Sequence, residues 1–137
     1  MTKILLPTDG SEYSSNAAKV AGTIACKHNS EILVLHVVTD TGVGRKTWQN
    51  EGAESIISSI LSILKGLGCE EERIESIVED GNAPDKIVEV AKQHNVDRII
   101  MGTRGKSGFK KIVGSVTEKV LQKSDVLVLV VPPNYKV

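Results

Sequence analysis

Met101-Gly102-Thr103-Arg104-Gly105-Lys106-Ser107-Gly108-Phe109-Lys110-Lys111-Ile112-Val113-Gly114-Ser115-Val116-Thr117 is the stretch that orients the chain. The apolar run Ile99-Ile100-Met101 before it has the pattern of a buried strand. After it, Val116, Val120 and Leu121 recur at helical spacing. The stretch is therefore a strand-to-helix connection, with Gly102, Gly105, Gly108 and Gly114, the cations Arg104, Lys106, Lys110 and Lys111, and no acid. Glycines let backbone N–H groups approach a ligand, and a helix N-terminus adds unpaired donors and partial positive charge. That chemistry suits a phosphate.

Working outward, the same unit repeats. Ile4-Leu5-Leu6 is a continuous apolar run of the kind buried on both faces of a parallel sheet, and Pro7 ends it. Thr8-Asp9-Gly10-Ser11 turns into a helix carrying Ala17, Ala18, Ala21, Ile24 and Ala25 on one face. Residues 31–38 are an almost wholly apolar second strand. Residues 39–49 read as a loop, and 53–66 as a helix striped with Ile56, Ile57, Ile60, Leu61, Ile63 and Leu64. Residues 73–79 alternate, as a half-exposed edge strand does. Pro84 opens a third helix, residues 97–101 form a fourth strand, and Val126 to Val131 a fifth.

Strict β-α alternation predicts parallel strands joined by right-handed crossovers, with helices on both faces of the sheet. At 137 residues, with no repeat and no low-complexity linker, one domain spanning 1–137 is expected. With the order 3-2-1-4-5, strands one and four are neighbours. Their polar loops, Thr8-Asp9 and Gly102 onward, then meet at the switch point where such sheets bind ligands.

A formal net charge of zero argues against nucleic acid or an anionic membrane as partner. No apolar run approaches the ~18 residues of a membrane span. With no signal-peptide pattern at the start, a cytoplasmic location is expected. The two cysteines, Cys26 and Cys69, have no metal or redox spacing, so free thiols in a reducing compartment are expected.

Several motifs fail. Gly105-Lys106-Ser107 lacks the Walker glycine, because position 100 is Ile100. Gly42-Val43-Gly44 has Thr47 where a dinucleotide fingerprint needs its third glycine. A receiver domain would need an acidic pair after the first strand, where only Asp9 stands. His28, His36 and His94 form no metal pattern, and His36, inside a strand, is expected to satisfy a hydrogen bond. No glycine-framed nucleophile is present.

Taken together, the residues resemble the universal stress protein family, in its ATP-binding branch. The resemblance runs through Ile-Leu-Leu-Pro-Thr-Asp-Gly-Ser at 4–11, Leu-His-Val-Val at 35–38, Gly-Asn-Ala-Pro at 81–84 and the glycine loop. The family's motif is Gly, two residues, Gly, nine residues, Gly, then Ser or Thr. Gly102, Gly105 and Gly114-Ser115 follow it, but with eight residues between Gly105 and Gly114. The resemblance implies a Rossmann-like fold of the adenine nucleotide alpha hydrolase type.

It also implies a pocket for ATP, or failing that AMP or ADP, with Mg2+ or Mn2+ on the phosphates. Pro7, Thr8 and Asp9 would border the nucleotide, and Val37 would lie against adenine. Met101, Gly102 and Gly105 would follow the ribose and phosphates. Gly114, Ser115, Val116 and Thr117 would hold phosphates, with Arg104 in reach. The expected role is nucleotide-dependent regulation in stress, with at most slow ATP hydrolysis. The alternatives are an interaction protein with an empty pocket and a phosphoryl- or adenylyl-transfer enzyme. A homodimer through the apolar last strand, Val126 to Val131, is expected on edge-strand grounds and from the resemblance, with Val128 and Val130 as positions for charge tests.

Overall fold

The computed structural model describes residues 2–39, 46–103 and 113–136, with 46–51 as backbone. Among the described residues five strands, β1 (Lys3–Pro7), β2 (Glu31–Val38), β3 (Ile74–Asp80), β4 (Arg98–Gly102) and β5 (Leu127–Val131), alternate with four helices. These are α1 (Glu12–His28), α2 (Lys46–Gly66), α3 (Ala83–Gln93) and α4 (Ser115–Lys123). A short 3₁₀ turn, Glu71–Arg73, precedes β3. The sheet order is β3-β2-β1-β4-β5 and every pairing is parallel, as expected.

Strand alternation divides the core in two. Ile4, Leu6, Ile32, Val34 and Ile100 face α1 and α2, meeting Ala17, Ala18, Ala21, Ile57, Ile60 and Leu64. Leu5, Leu33, Leu35, Ile99 and Met101 face the other way, onto Ile87, Val90 and Ala91 of α3 and Val120 of α4. Strands β1, β2 and β4 are apolar at consecutive positions because both faces are covered. The alanine face of α1 lets that helix lie close to the sheet. At the β3 edge Glu75, Ser76 and Val78 are exposed and only Ile74 and Ile77 pack inward.

Two local features differ from expectation. The second helix starts at Lys46, so four residues read as loop, 46–49, are helical. Apart from Trp48 that first turn and a half is polar, so it shows no stripe; once a packed helix exists, extending it adds a hydrogen bond per residue without a new nucleus. The fifth strand also begins one residue late, at Leu127, because Ser124 Oγ donates to Val126 O at 2.8 Å and closes a turn there.

Candidate functional site

The strand order reverses between β1 and β4, and their C-terminal ends open a cleft of about 530 Å³ including its mouth. Pro7, Thr8 and Asp9 border it from β1, Leu35 and Val37 from β2, and Met101 and Gly102 from β4. Ala83 and Ile87 of α3 and Val116 and Thr117 of α4 complete the wall, with Ser14 of α1 at the rim.

The β1 side is built by a compact turn. Thr8 N–H donates to Leu35 O at 2.8 Å, continuing the ladder past Pro7. Gly10, at φ 84°, makes the reversal that a side chain would resist. Ser11 then caps α1, accepting from Ser14 N–H at 3.3 Å. Asp9 Oδ1 accepts from Ser11 N–H at 3.0 Å and from Ser14 Oγ at 2.7 Å, while Ser14 Oγ accepts from Asp9 N–H at 3.1 Å. A carboxylate thus already sits at the positive end of α1. Beside it, His36 Nδ1 donates to Thr8 O at 2.8 Å, the structural role expected for this histidine.

The β4 side is arranged differently. Gly114 stands at the N-cap of α4, where it has no side chain to offer the helix. By contrast, Ser11 caps α1 and Asn82 caps α3, accepting from Asp85 N–H at 3.2 Å. The first turn of α4 contains Ser115, Val116 and Thr117, and its first acid is Glu118. First-turn N–H groups have no partner within their own helix. Thr117 Oγ1 does not cap. It is buried and donates to Gly102 O at 2.9 Å, tying the helix to the end of β4. Gly114 N–H donates to Thr103 O at 2.6 Å, so the two ends of the glycine loop are joined at its base.

Gly102 has a reason of its own to be glycine. A Cβ there would lie 2.8 Å from both Tyr13 Cβ and Tyr13 O. The first turn of α1 rests directly on the end of β4, and only a residue without a side chain leaves room for it.

Of the sequence-predicted residues, Pro7, Thr8, Asp9, Val37, Met101, Gly102, Val116 and Thr117 meet around the cleft. Gly114 and Ser115 stand at the start of α4, outside the lining. Arg104 and Gly105 lie outside the described residues. Ser14, Leu35, Ala83 and Ile87 line the cleft in addition to the predicted residues. The glycine-proline turn before α3 is the one signal that could have placed Ala83 and Ile87 beside the cleft; Leu35 reads as core and Ser14 as an ordinary helix residue.

The universal stress protein family model matches residues 1–132. Universal stress protein MJ0531 of Methanocaldococcus jannaschii is 36% identical over 140 residues, covering 94% of this chain and 81% of that protein. The solved structure of MJ0577 from the same organism, a protein whose biochemical function was assigned from its structure, gives a TM-score of 0.82 at 33% identity and covers 96% of this chain and 95% of its own. A universal stress protein solved in complex with cAMP gives a TM-score of 0.80 at 25% identity, covering 97% of this chain and 98% of its own.

Proposed function

This chain belongs to the universal stress protein family, and from that premise we propose that its cleft binds an adenine nucleotide, ATP foremost, and that occupancy regulates a partner surface. One observation carries the reading. The cleft joins an apolar wall to a helix N-terminus without a side-chain cap, at the switch point of the sheet. Leu35, Val37, Met101 and Ile87 offer a flat base an apolar bed. Thr8 and Asp9 offer ribose hydroxyls their partners. Asp9 occupies the positive end of α1, so an anion is steered to α4, where Ser115, Val116 and Thr117 present backbone N–H groups. The relative bound to cAMP supports the adenine assignment.

Among the described residues no group of three or more His, Cys, Asp or Glu could hold a metal ion. A resident cation does not fit those residues. Mg2+ or Mn2+ would arrive with the polyphosphate and take most of its oxygen ligands from it. Asp9 is the one carboxylate among the described lining residues, and its Oδ1 is engaged by Ser11 and Ser14. Hydrolysis needs a group that positions water at the γ-phosphate, so the reading is a binding protein with slow turnover at most.

Following the melting temperature against ATP, ADP, AMP and cAMP tests this. A ligand at a hundred times its Kd stabilises by about 2.7 kcal/mol, which for a domain of this size is a rise of roughly 10 °C. If none of the four raises the melting temperature, the nucleotide reading fails.

We further propose that the chain pairs with a second copy along β5. Strand β5 is a sheet edge, and Leu127 and Leu129 are 73% and 41% exposed. Val128 and Val130 are half-buried, with Val128 packed against the α3–α4 side, so a charge there would damage the core as well. Leu129→Lys is therefore the cleaner test. It should convert a dimer to monomer in sedimentation at unchanged fold, and an unchanged dimer would exclude this edge.

A further inference from the structure

The two cysteines, 43 positions apart in sequence, meet at the opposite end of the sheet from the cleft, with their sulfurs 3.3 Å apart. Three devices bring them there. First, α2 ends in a Schellman motif: Gly68 is left-handed at φ 90°, its N–H donates to Lys65 O at 3.0 Å, and Cys69 N–H donates to Leu64 O at 3.1 Å. That pattern fixes the backbone of Cys69 against its own helix. Second, Gly22 opens a notch in α1. A Cβ there would meet Leu67 Cδ1 at 2.7 Å and Cys69 Sγ at 3.5 Å, so the turn after α2 packs closely over a position of α1 that has no side chain. Third, Cys26 lies four residues beyond Gly22, on the same face of α1.

Both thiols are free; Cys26 is exposed and Cys69 half-buried. Leu67 O accepts from Cys26 Sγ at 3.5 Å and Gly22 O from Cys69 Sγ at 3.6 Å. Glu70 and Arg73, which border the same small pocket, are paired with each other at 3.2 Å, and Arg73 Nη1 also donates to Asn29 O at 2.6 Å. Burial, and then the neighbouring Cys26 thiol, push the Cys69 thiol up to about 12. Cys69 therefore stays protonated at neutral pH.

We propose that Cys26 and Cys69 are an oxidation site that closes to an intramolecular disulfide when the protein meets a hydroperoxide. The exposed Cys26, as thiolate, attacks a peroxide oxygen. The O–O bond breaks, the sulfur is oxidised to a sulfenic acid, and the departing oxygen leaves as hydroxide or alkoxide and takes up a proton. Cys69 sulfur then attacks the Cys26 sulfur, the S–O bond breaks, and hydroxide leaves with the Cys69 proton as water. Two thiols and one hydroperoxide give one disulfide, one water and one water or alcohol. Closing to a bond of about 2.0 Å requires the sulfurs to approach by little more than 1 Å. The cross-link ties the second half of α1 to the turn between α2 and β3. It does not depend on the nucleotide reading, because the cleft lies at the other end of the strands.

The reduced protein, treated with one equivalent of hydrogen peroxide and then alkylated, tests this by intact mass and non-reducing electrophoresis. The expected product is a monomeric chain lighter by about 2 Da with no alkylatable thiol. It should melt on the order of 10 °C higher and revert with dithiothreitol. In Cys69→Ser, Cys26 should stop at the sulfenic acid, about 16 Da heavier and captured by dimedone. Cys26→Ser should keep its remaining thiol under the same dose. Two alkylatable thiols after peroxide, a disulfide between chains, or ready oxidation of Cys69 in Cys26→Ser would each overturn the proposal.

Discussion

Replacing Gly102 with alanine should lower the melting temperature of the ligand-free protein by roughly 5–10 °C, and valine should lower it further. The new Cβ would stand 2.8 Å from the Tyr13 carbonyl oxygen, which belongs to the backbone of α1 and has no rotamer by which to retreat. Either α1 lifts from the end of β4 or the strand end shifts. Overpacking of this kind costs about 1–3 kcal/mol, and each kcal/mol moves the midpoint of a domain this size by roughly 4 °C. The measurement is a thermal melt without nucleotide. A glycine serving only phosphate approach would leave that melt unchanged, so the result separates its packing role from any ligand role. Lifting α1 also displaces Ser14 and the Asp9 turn that borders the cleft.

Val116→Glu should have opposite effects on binding and on stability. Val116 is 36% exposed in the first turn of α4 and lines the cleft, so the fold has room for a longer side chain. A carboxylate in a first helical turn interacts favourably with the helix dipole, by about 0.3–1 kcal/mol. The melting temperature of the free protein should therefore stay level or rise slightly. The same carboxylate competes for the N–H groups offered to phosphate and repels it. Nucleotide affinity should fall by more than about tenfold, which is 1.4 kcal/mol or more. Calorimetric titration beside a melt reads both quantities. Retained affinity would remove α4 from the phosphate site, whereas a joint loss of affinity and stability would point to misfolding.

The sheet was legible because its burial is two-sided. Runs such as Ile4-Leu5-Leu6 and Leu33-Val34-Leu35 have no polar face to hide, and alternation with helical stripes leaves few ways to connect them. The cleft was legible where polar or glycine residues interrupt that pattern at strand ends, as at Thr8-Asp9 and Gly102. Leu35 and Ile87 carry no such mark; they face the cleft only because α3 crosses the sheet where it does. The start of α2 was hidden because Trp48 is its one apolar side chain and makes no stripe alone. The Cys26–Cys69 approach was illegible for a deeper reason. It is made by a left-handed Gly68 that seats Cys69 over Gly22 of α1, and a spacing rule for paired cysteines contains neither. Gly102 was read for its ligand chemistry, and the close contact with α1 was invisible until the helix had a position.

Equilibrium dialysis of the purified wild-type chain against labelled ATP with Mg2+ tests the central reading most directly. One ATP per chain, displaced by unlabelled ATP and lost in Val116→Glu, is the predicted result. No retention of ATP by a folded protein, at concentrations up to the millimolar, would contradict it.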